Sequence, residues 1–232
     1  MKLTTRLLAI DTLSRSCTVA VLDGNGDMHF RRGSGQRRHA REVLSLVDAV
    51  LHDSSLSLSA LSAIAVISGP GSFTGLRIGM TVAQGLAYST SLPVIPVSSL
   101  ALLAEAASID RANVRALCLL GARPGEYYHA TYRVEDDLPR LLDSERVGPC
   151  TFADAEPHDL VVTDESTAMA LRADPLFPFA EPTVVDVDAA VLVRLSARLM
   201  QNVPSIAISP TRAVPAYIKD DLEYRKSGLP GS

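Results

Sequence analysis

Cysteine is scarce in this 232-residue sequence: Cys17, Cys118 and Cys150 are odd in number, widely spaced and never arranged as C-x-x-C. That argues against a disulfide framework and against a zinc site, and points to a reducing cytoplasm. Cys17 and Cys118 fall in strand-like runs and read as small core residues. Long apolar runs are missing too, none approaching the roughly 20 residues that cross a bilayer. The start, residues 1–6, leads straight into a strand-like run without a signal-peptide cleavage pattern. A cytoplasmic protein with no membrane contact is expected. Positive charge is also short. A net charge of -4 and a pI of about 5.7 do not suit a chain that binds nucleic acid unaided. Arg31, Arg32, Arg37, Arg38 and Arg41 are a local exception. They read as a solvated turn and helix start, or else as a seat for an acidic partner or an RNA backbone.

Catalytic patterns are absent as well. The five histidines (His29, His39, His52, His129 and His158) include no pair at i, i+4, and the residue four places after His39 is Val43. No metal, cofactor or catalytic residue is expected. What the chain does carry is Gly69-Pro-Gly-Ser-Phe-Thr-Gly-Leu-Arg-Ile-Gly79, between an apolar run at 63–67 and a helix. It is not a Walker A loop, because Leu76 follows Gly75 where a lysine is needed. It is not a dinucleotide fingerprint, because Thr74 holds the place of the third glycine. It is not a nucleophile elbow, because Pro70 and Thr74 flank Ser72. The loop is built for shape.

Over residues 74–88 the polar residues Thr74, Arg77, Thr81, Gln84 and Tyr88 make one narrow stripe, and the rest is apolar or glycine. A helix that only covers a sheet needs one apolar face; this one has enough for two. Gly75, Gly79, Ala83 and Ala87 recur every four residues, a spacing that lets another backbone come close. Two readings are open: tight packing against a helix of the same chain, or a subunit interface.

The pattern predicts strands at 7–11, 18–22 and 28–32 in an antiparallel meander turning at Gly24-Asn-Gly26. An amphipathic helix follows at 40–52, with Val43, Leu44, Val47, Val50 and Leu51 on its inward face. Then come a strand at 63–67, the glycine-rich turn, the small-residue helix, a strand at 93–97 and a helix from Ser98 or Ser99 to Ala107. That order is α/β and ribonuclease-H-like. The second half begins the same layout, with strands at 114–120 and 127–134, a third after 136–139 and another at 160–163. A loop at 175–182, a helix at 188–201, and a tail from Pro210 that wraps back or hangs free complete the chain. Two such domains, 1–107 and 108–232, of the actin, sugar-kinase and heat-shock-ATPase type are expected, each with a mixed sheet flanked by helices. ATP-using members place an Asp at the end of the first strand of both halves. Here Asp11 is present, but Gly121 stands at the second place, so half of the paired-acid arrangement is missing.

The run Ala9-Ile-Asp-Thr12, the glycine-rich loop, Ala83-Gln-Gly-Leu-Ala87 and Pro215-Ala-Tyr-Ile-Lys219 together resemble the TsaB family, once called YeaZ. The match is strongest over residues 7–107. It implies a two-domain, actin-like accessory subunit without catalytic function in making threonylcarbamoyladenosine in tRNA. Such a subunit forms a heterodimer with its paralogue TsaD, which carries the metal and transfers the threonylcarbamoyl group to the adenosine beside the anticodon. TsaE joins the pair with ATP, and tRNA is met through the complex. Whether the chain pairs with itself when alone is left open. In the family the first two helices build the heterodimer contact. The residues assigned to it here are His39, Val43, Val47, Ser72, Phe73, Gly75, Arg77, Gly79, Ala83 and Ala87. The chain departs from its relatives at Gly121, where Asp-Ala-Arg is usual, although Arg123, Gly125, Glu126 and Tyr128 fit. Two alternatives of other classes remain: a nucleotide-binding, kinase-like enzyme supported by Asp11, and a metallopeptidase-like protein, because the wider family was once grouped with metal-dependent proteases.

Overall fold

Strands β1 (Leu7–Asp11), β2 (Thr18–Leu22) and β3 (Met28–Arg32) form the antiparallel meander in the computed structural model. The structure describes residues 5–35, 38–109, 111, 113–149, 158–179 and 181–218. Helix α1 (His39–Asp53) follows, then β4 (Ala63–Gly69), α2 (Phe73–Thr90), β5 (Val94–Ser98) and α3 (Ser99–Ala107). The first sheet runs β3-β2-β1-β4-β5, with β4 parallel to β1 and β5 parallel to β4. The second half repeats the layout. Strands β6 (Val114–Gly121), β7 (Glu126–Glu135), β8 (Leu138–Leu141) and β9 (Arg146–Pro149) precede β10 (Leu160–Thr163), α4 (Glu165–Ala173), β11 (Thr183–Val184) and α5 (Ala189–Asn202). Its sheet runs β11-β10-β6-β7-β8, with β9 also on β7 and β10 parallel to β6. This is the two-sheet, helix-flanked α/β fold of the actin and ribonuclease-H type.

All of β1 and β2 is buried, because helices cover both faces of the first sheet. Alternation sends Leu8, Ile10, Val19 and Val21 to one face, with Val43, Val47 and Val50 of α1 and Met80 and Ala83 of α2. Leu7, Ala9, Ala20 and Leu22 face the other way, against Leu102 of α3 and Leu192, Val193 and Leu195 of α5. Each such aliphatic side chain contributes about 1.5–3 kcal/mol on burial. Helix α3 lies between the sheets, with eight of its nine residues buried. Leu102 joins the first core, while Leu100, Leu103 and Ala104 join Ala116, Cys118, Ala130 and Tyr132 of the second. Side chains start the helices: Ser98 caps α3, Asp164 caps α4 and Asp188 caps α5. The two sheets fall on either side of Ala107, but α5, from the second half, packs on β1 and β2.

Among the described residues no helix is long and apolar enough to cross a membrane. Cys17 and Cys118 are buried, and burial pushes the Cys17 thiol up to about 12. Cys150 and Arg37 lie outside the described residues. The tail does wrap back as far as it is described. Val94 and Ile208 exchange backbone hydrogen bonds of 2.8 and 2.9 Å, and the Ala216 N–H donates to the Ser68 carbonyl at 2.7 Å. Residues 208–217 thus strap the outer edge of β5 and run along α2 to the glycine-rich loop.

Candidate partner surface

The glycine-rich loop owes its composition to four close approaches. Gly69 and Gly71 have φ of +120° and +152°, a region that side chains avoid. A Cβ at Gly69 would stand 2.8 Å from the Ala216 carbonyl of the strap, and one at Gly71 would stand 2.7 Å from Leu13. One turn on, a Cβ at Gly75 would meet the Thr12 carbonyl at 2.5 Å, and one at Gly79 would meet Thr12 Oγ1 at 2.6 Å. Thr12 Oγ1 donates to the Gly75 carbonyl at 2.7 Å, locking α2 onto the end of β1. Ala83 and Ala87 continue the same face into the first core.

The small-residue stripe therefore packs α2 within this chain, but against the end of β1 and the sheet, where the sequence suggested a helix of the same chain. Gly75, Gly79, Ala83 and Ala87 are buried inward, as are Val43 and Val47 on α1. None of these six residues is exposed on the outer face of α1 or α2. Ser72, Phe73 and Arg77 are exposed, together with Thr74, Thr81 and Tyr88 of the same side of α2. His39 is half-buried: its Nδ1–H donates to the Thr12 carbonyl at 3.0 Å, while Nε2 is enclosed without a hydrogen bond. Leu44, read from the periodicity as inward, is 56 % exposed. It borders a groove of about 550 Å³ that α1 and α2 form with the 3-10 turn Leu58–Ala60. Leu51, Leu56, Leu58 and Leu86 line the groove, and Asp48 and His52 add polar groups.

At the other end of α2 stands a cluster that helical spacing alone does not reveal. The Arg77 guanidinium lies 3.7 Å over the Phe73 ring, and Arg77 Nε donates to the Tyr217 hydroxyl at 3.3 Å. The Phe73 and Tyr217 rings are 5.6 Å apart. The strap that brings Tyr217 there is pinned by Gln84, whose Nε2 donates to the carbonyls of Pro210 and Ala213 at 3.1 and 2.7 Å. Gln84, placed in the polar stripe by its spacing, is thus an anchor for the tail.

Asp11 occupies the place where nucleotide-using folds keep a carboxylate, yet its oxygens serve the chain itself. Oδ1 accepts from the N–H groups of Leu13 and Ser14 at 2.8 and 3.2 Å, and Oδ2 accepts from the Thr18 hydroxyl at 3.2 Å. Thr18 Oγ1 in turn accepts from Ala189 N at the start of α5. Burial, the largest influence, pushes the Asp11 carboxyl above its ordinary value against these hydrogen bonds. The side chain ties a turn to a helix and is closed off from solvent. The adjoining turn is closed too, since the Ser14 hydroxyl donates to the Val187 carbonyl at 2.8 Å. At the corresponding end of β6, the Gly121 N–H donates to Thr167 Oγ1 at 2.9 Å.

Arg31 pairs with Asp53 at 2.5 Å, and Arg32 with Asp188 at 3.2 Å. These two arginines hold β3 to α1 and to α5. Arg38 and Arg41 are exposed beside them.

A protein-family model described as TsaD, tRNA N6-adenosine threonylcarbamoyltransferase, matches residues 33–147. The tRNA threonylcarbamoyladenosine biosynthesis protein TsaB of Haemophilus influenzae is 29% identical to this chain over 232 residues, with 97% of each covered. The protein of the same name in Escherichia coli is 41% identical over 133 residues, 57% of each. Among solved structures, YeaZ from Pseudomonas aeruginosa is similar with a TM-score of 0.79 and 31% identity, covering 92% of this chain and all of that one.

Proposed function

The chain belongs to the TsaB (YeaZ) family, and from that premise we propose that it serves the synthesis of threonylcarbamoyladenosine in tRNA as a non-catalytic subunit. It forms a heterodimer with the transferase TsaD and supports transfer of the threonylcarbamoyl group to the adenosine next to the anticodon. TsaE joins this pair with ATP, the complex as a whole meets tRNA, and the work is done in the cytoplasm. Of two ribonuclease-H-like halves, 1–107 and 108–232, the first carries the contact. The exposed sides of α1 and α2 make it, with His39, Ser72, Phe73 and Arg77 at one end and Leu44 and the groove at the other. The inward residues Val43, Val47, Gly75, Gly79, Ala83 and Ala87 act beneath it by fixing the two helices on the sheet.

The observation that carries this reading is the apolar groove between α1 and α2, with Leu44 more than half exposed at its edge. An open leucine-lined groove on a helical face is what a partner helix covers. The buried, hydrogen-bonded Asp11 supports the non-catalytic part of the reading, because a carboxylate spent on Leu13, Ser14 and Thr18 has little left for magnesium. Size-exclusion chromatography with light scattering on the chain alone, and mixed with TsaD of the same organism, tests the proposal. One mixed species is expected, with tRNA left unmodified by the chain alone. Two separate peaks, even with TsaE, nucleotide and tRNA present, would overturn it.

A further inference from the structure

We infer that Arg77, clamped between Phe73 and Tyr217, is a docking point for a carboxylate on the partner, and that the C-terminal strap presents it. This rests on the docking reading above and assigns chemistry to one end of that surface. Arg77 lies in the second turn of α2, near the helix end whose dipole is positive, and the first turn holds no acidic residue. A cation gains nothing from that dipole, so its position is fixed by other means. The Phe73 ring supports the guanidinium face at 3.7 Å, and the Tyr217 hydroxyl accepts a hydrogen bond from Nε–H.

These contacts use one N–H and one face of the group. The terminal nitrogens keep their donors, and among the described residues no carboxylate lies within ion-pair distance of Arg77, whereas Arg31, Arg32, Arg115, Arg133, Arg172 and Arg198 each have one. Arg77 is therefore a preorganised, outward fork, the geometry that grips a carboxylate with two parallel hydrogen bonds. Phe73 and Tyr217 remain 53 % and 49 % exposed. Half-covered aromatics around an arginine are the composition of a binding hot spot.

The strap is built to hold this arrangement. Ala216 bonds to Ser68, Gln84 holds Pro210 and Ala213, and Gly69 makes room for the Ala216 carbonyl. A phosphate of RNA offers the same two oxygens, but gripping a nucleic-acid backbone takes several cations in a row. On α2 itself the exposed neighbours on this side are Ser72, Thr74 and Thr81, and although Arg38 and Arg41 are exposed at the start of α1, the chain carries a net charge of -4. The occupant is an acidic side chain of the TsaD-type partner.

Calorimetric titration of TsaD into wild type, Arg77→Lys, Tyr217→Ala and Leu44→Asp, each at low and high salt, tests this. Arg77→Lys is expected to bind roughly tenfold more weakly with its salt dependence kept, because lysine retains the charge but not the fork, and with an unchanged melting temperature. Tyr217→Ala is expected to weaken binding in the same sense by releasing the clamp. Wild-type affinity in Arg77→Lys would overturn the inference. If Leu44→Asp abolished binding at the same time, the docking reading would stand without it. Absence of binding by wild type would overturn both. Arg77-dependent binding of an anticodon stem-loop by the chain alone, without such dependence toward TsaD, would also overturn the inference, because the anion would then be phosphate.

Discussion

The two halves of the molecule share a strand layout and differ in how tightly the same places are filled. At the end of β1 a glycine-rich loop and the first turns of α2 press onto Thr12 and Leu13, and none of Gly69, Gly71, Gly75 and Gly79 has room for a Cβ. At the end of β6 the turn is open. A Cβ at Gly121 would touch only Thr167 Oγ1 at an ordinary 3.6 Å, and Gly125 has nothing within 4 Å. The carboxylate differs in parallel, since Asp11 is buried under three hydrogen bonds while Gly121 offers only its backbone N–H to Thr167. The lesson is that the acid and glycines of the first half answer to packing. In this chain they bond to or pack against Thr12, Leu13, Ser14 and Thr18.

That contrast can be broken in graded steps. The largest effect belongs to Leu102→Ala in α3, fully buried against the first sheet in a helix that also packs on the second. A loss of about 2–5 kcal/mol is expected, and urea unfolding followed by circular dichroism should keep a single transition because both halves share α3. Two separated transitions would mean the halves melt independently. Gly75→Ala comes next, at about 2–3 kcal/mol, because the new methyl meets backbone atoms of Thr12 that cannot swing aside. A wild-type denaturation midpoint for Gly75→Ala would refute the close approach.

Asp11→Asn tests the acid. At neutral pH its stability should stay within about 1 kcal/mol of wild type, since the hydroxyl acceptor lost at Thr18 is offset by removal of a buried charge. Its signature is in the pH dependence. The folded carboxyl sits above its ordinary value of 3.8, so the folded state favours the protonated acid. The wild-type stability from this group is therefore fully present below 3.8 and is lost as pH rises through the folded value. The stability of Asp11→Asn relative to wild type should improve over that rise, and a constant difference at every pH would contradict it. The smallest effect is expected from Gly121→Asp, within about 0.5 kcal/mol by thermal melting. A large loss there would erase the difference between the two turns.

Sequence reading reached β1–β8 and β10, both meanders and the glycine-rich turn, because two-residue alternation and apolar runs report directly on buried sheet, but it missed the short β9, α4 and β11. It reached the close packing of α2 through the four small residues. Spacing gives the distance of approach but not the neighbour, so the stripe fitted a subunit contact as well as Thr12. Leu44 was misplaced because it sits at the boundary of the inward arc, where one step of rotation separates core from surface. Tyr217 was reached only within a family-like motif, without its contact to Arg77 140 residues earlier. Gln84 likewise acts on carbonyls 126 and 129 residues away, a separation that no local pattern encodes.

The crossing of α5 onto β1 and β2 has a consequence for the order in which the chain can finish folding. During synthesis the first sheet can gain α1 and α2 on one face early, but its other face, with Leu7, Ala9, Ala20 and Leu22, waits for Leu192, Val193 and Leu195. A ribosome must therefore deliver most of the second half before the first is closed, and an apolar surface stays open to chaperones or to other nascent chains until then.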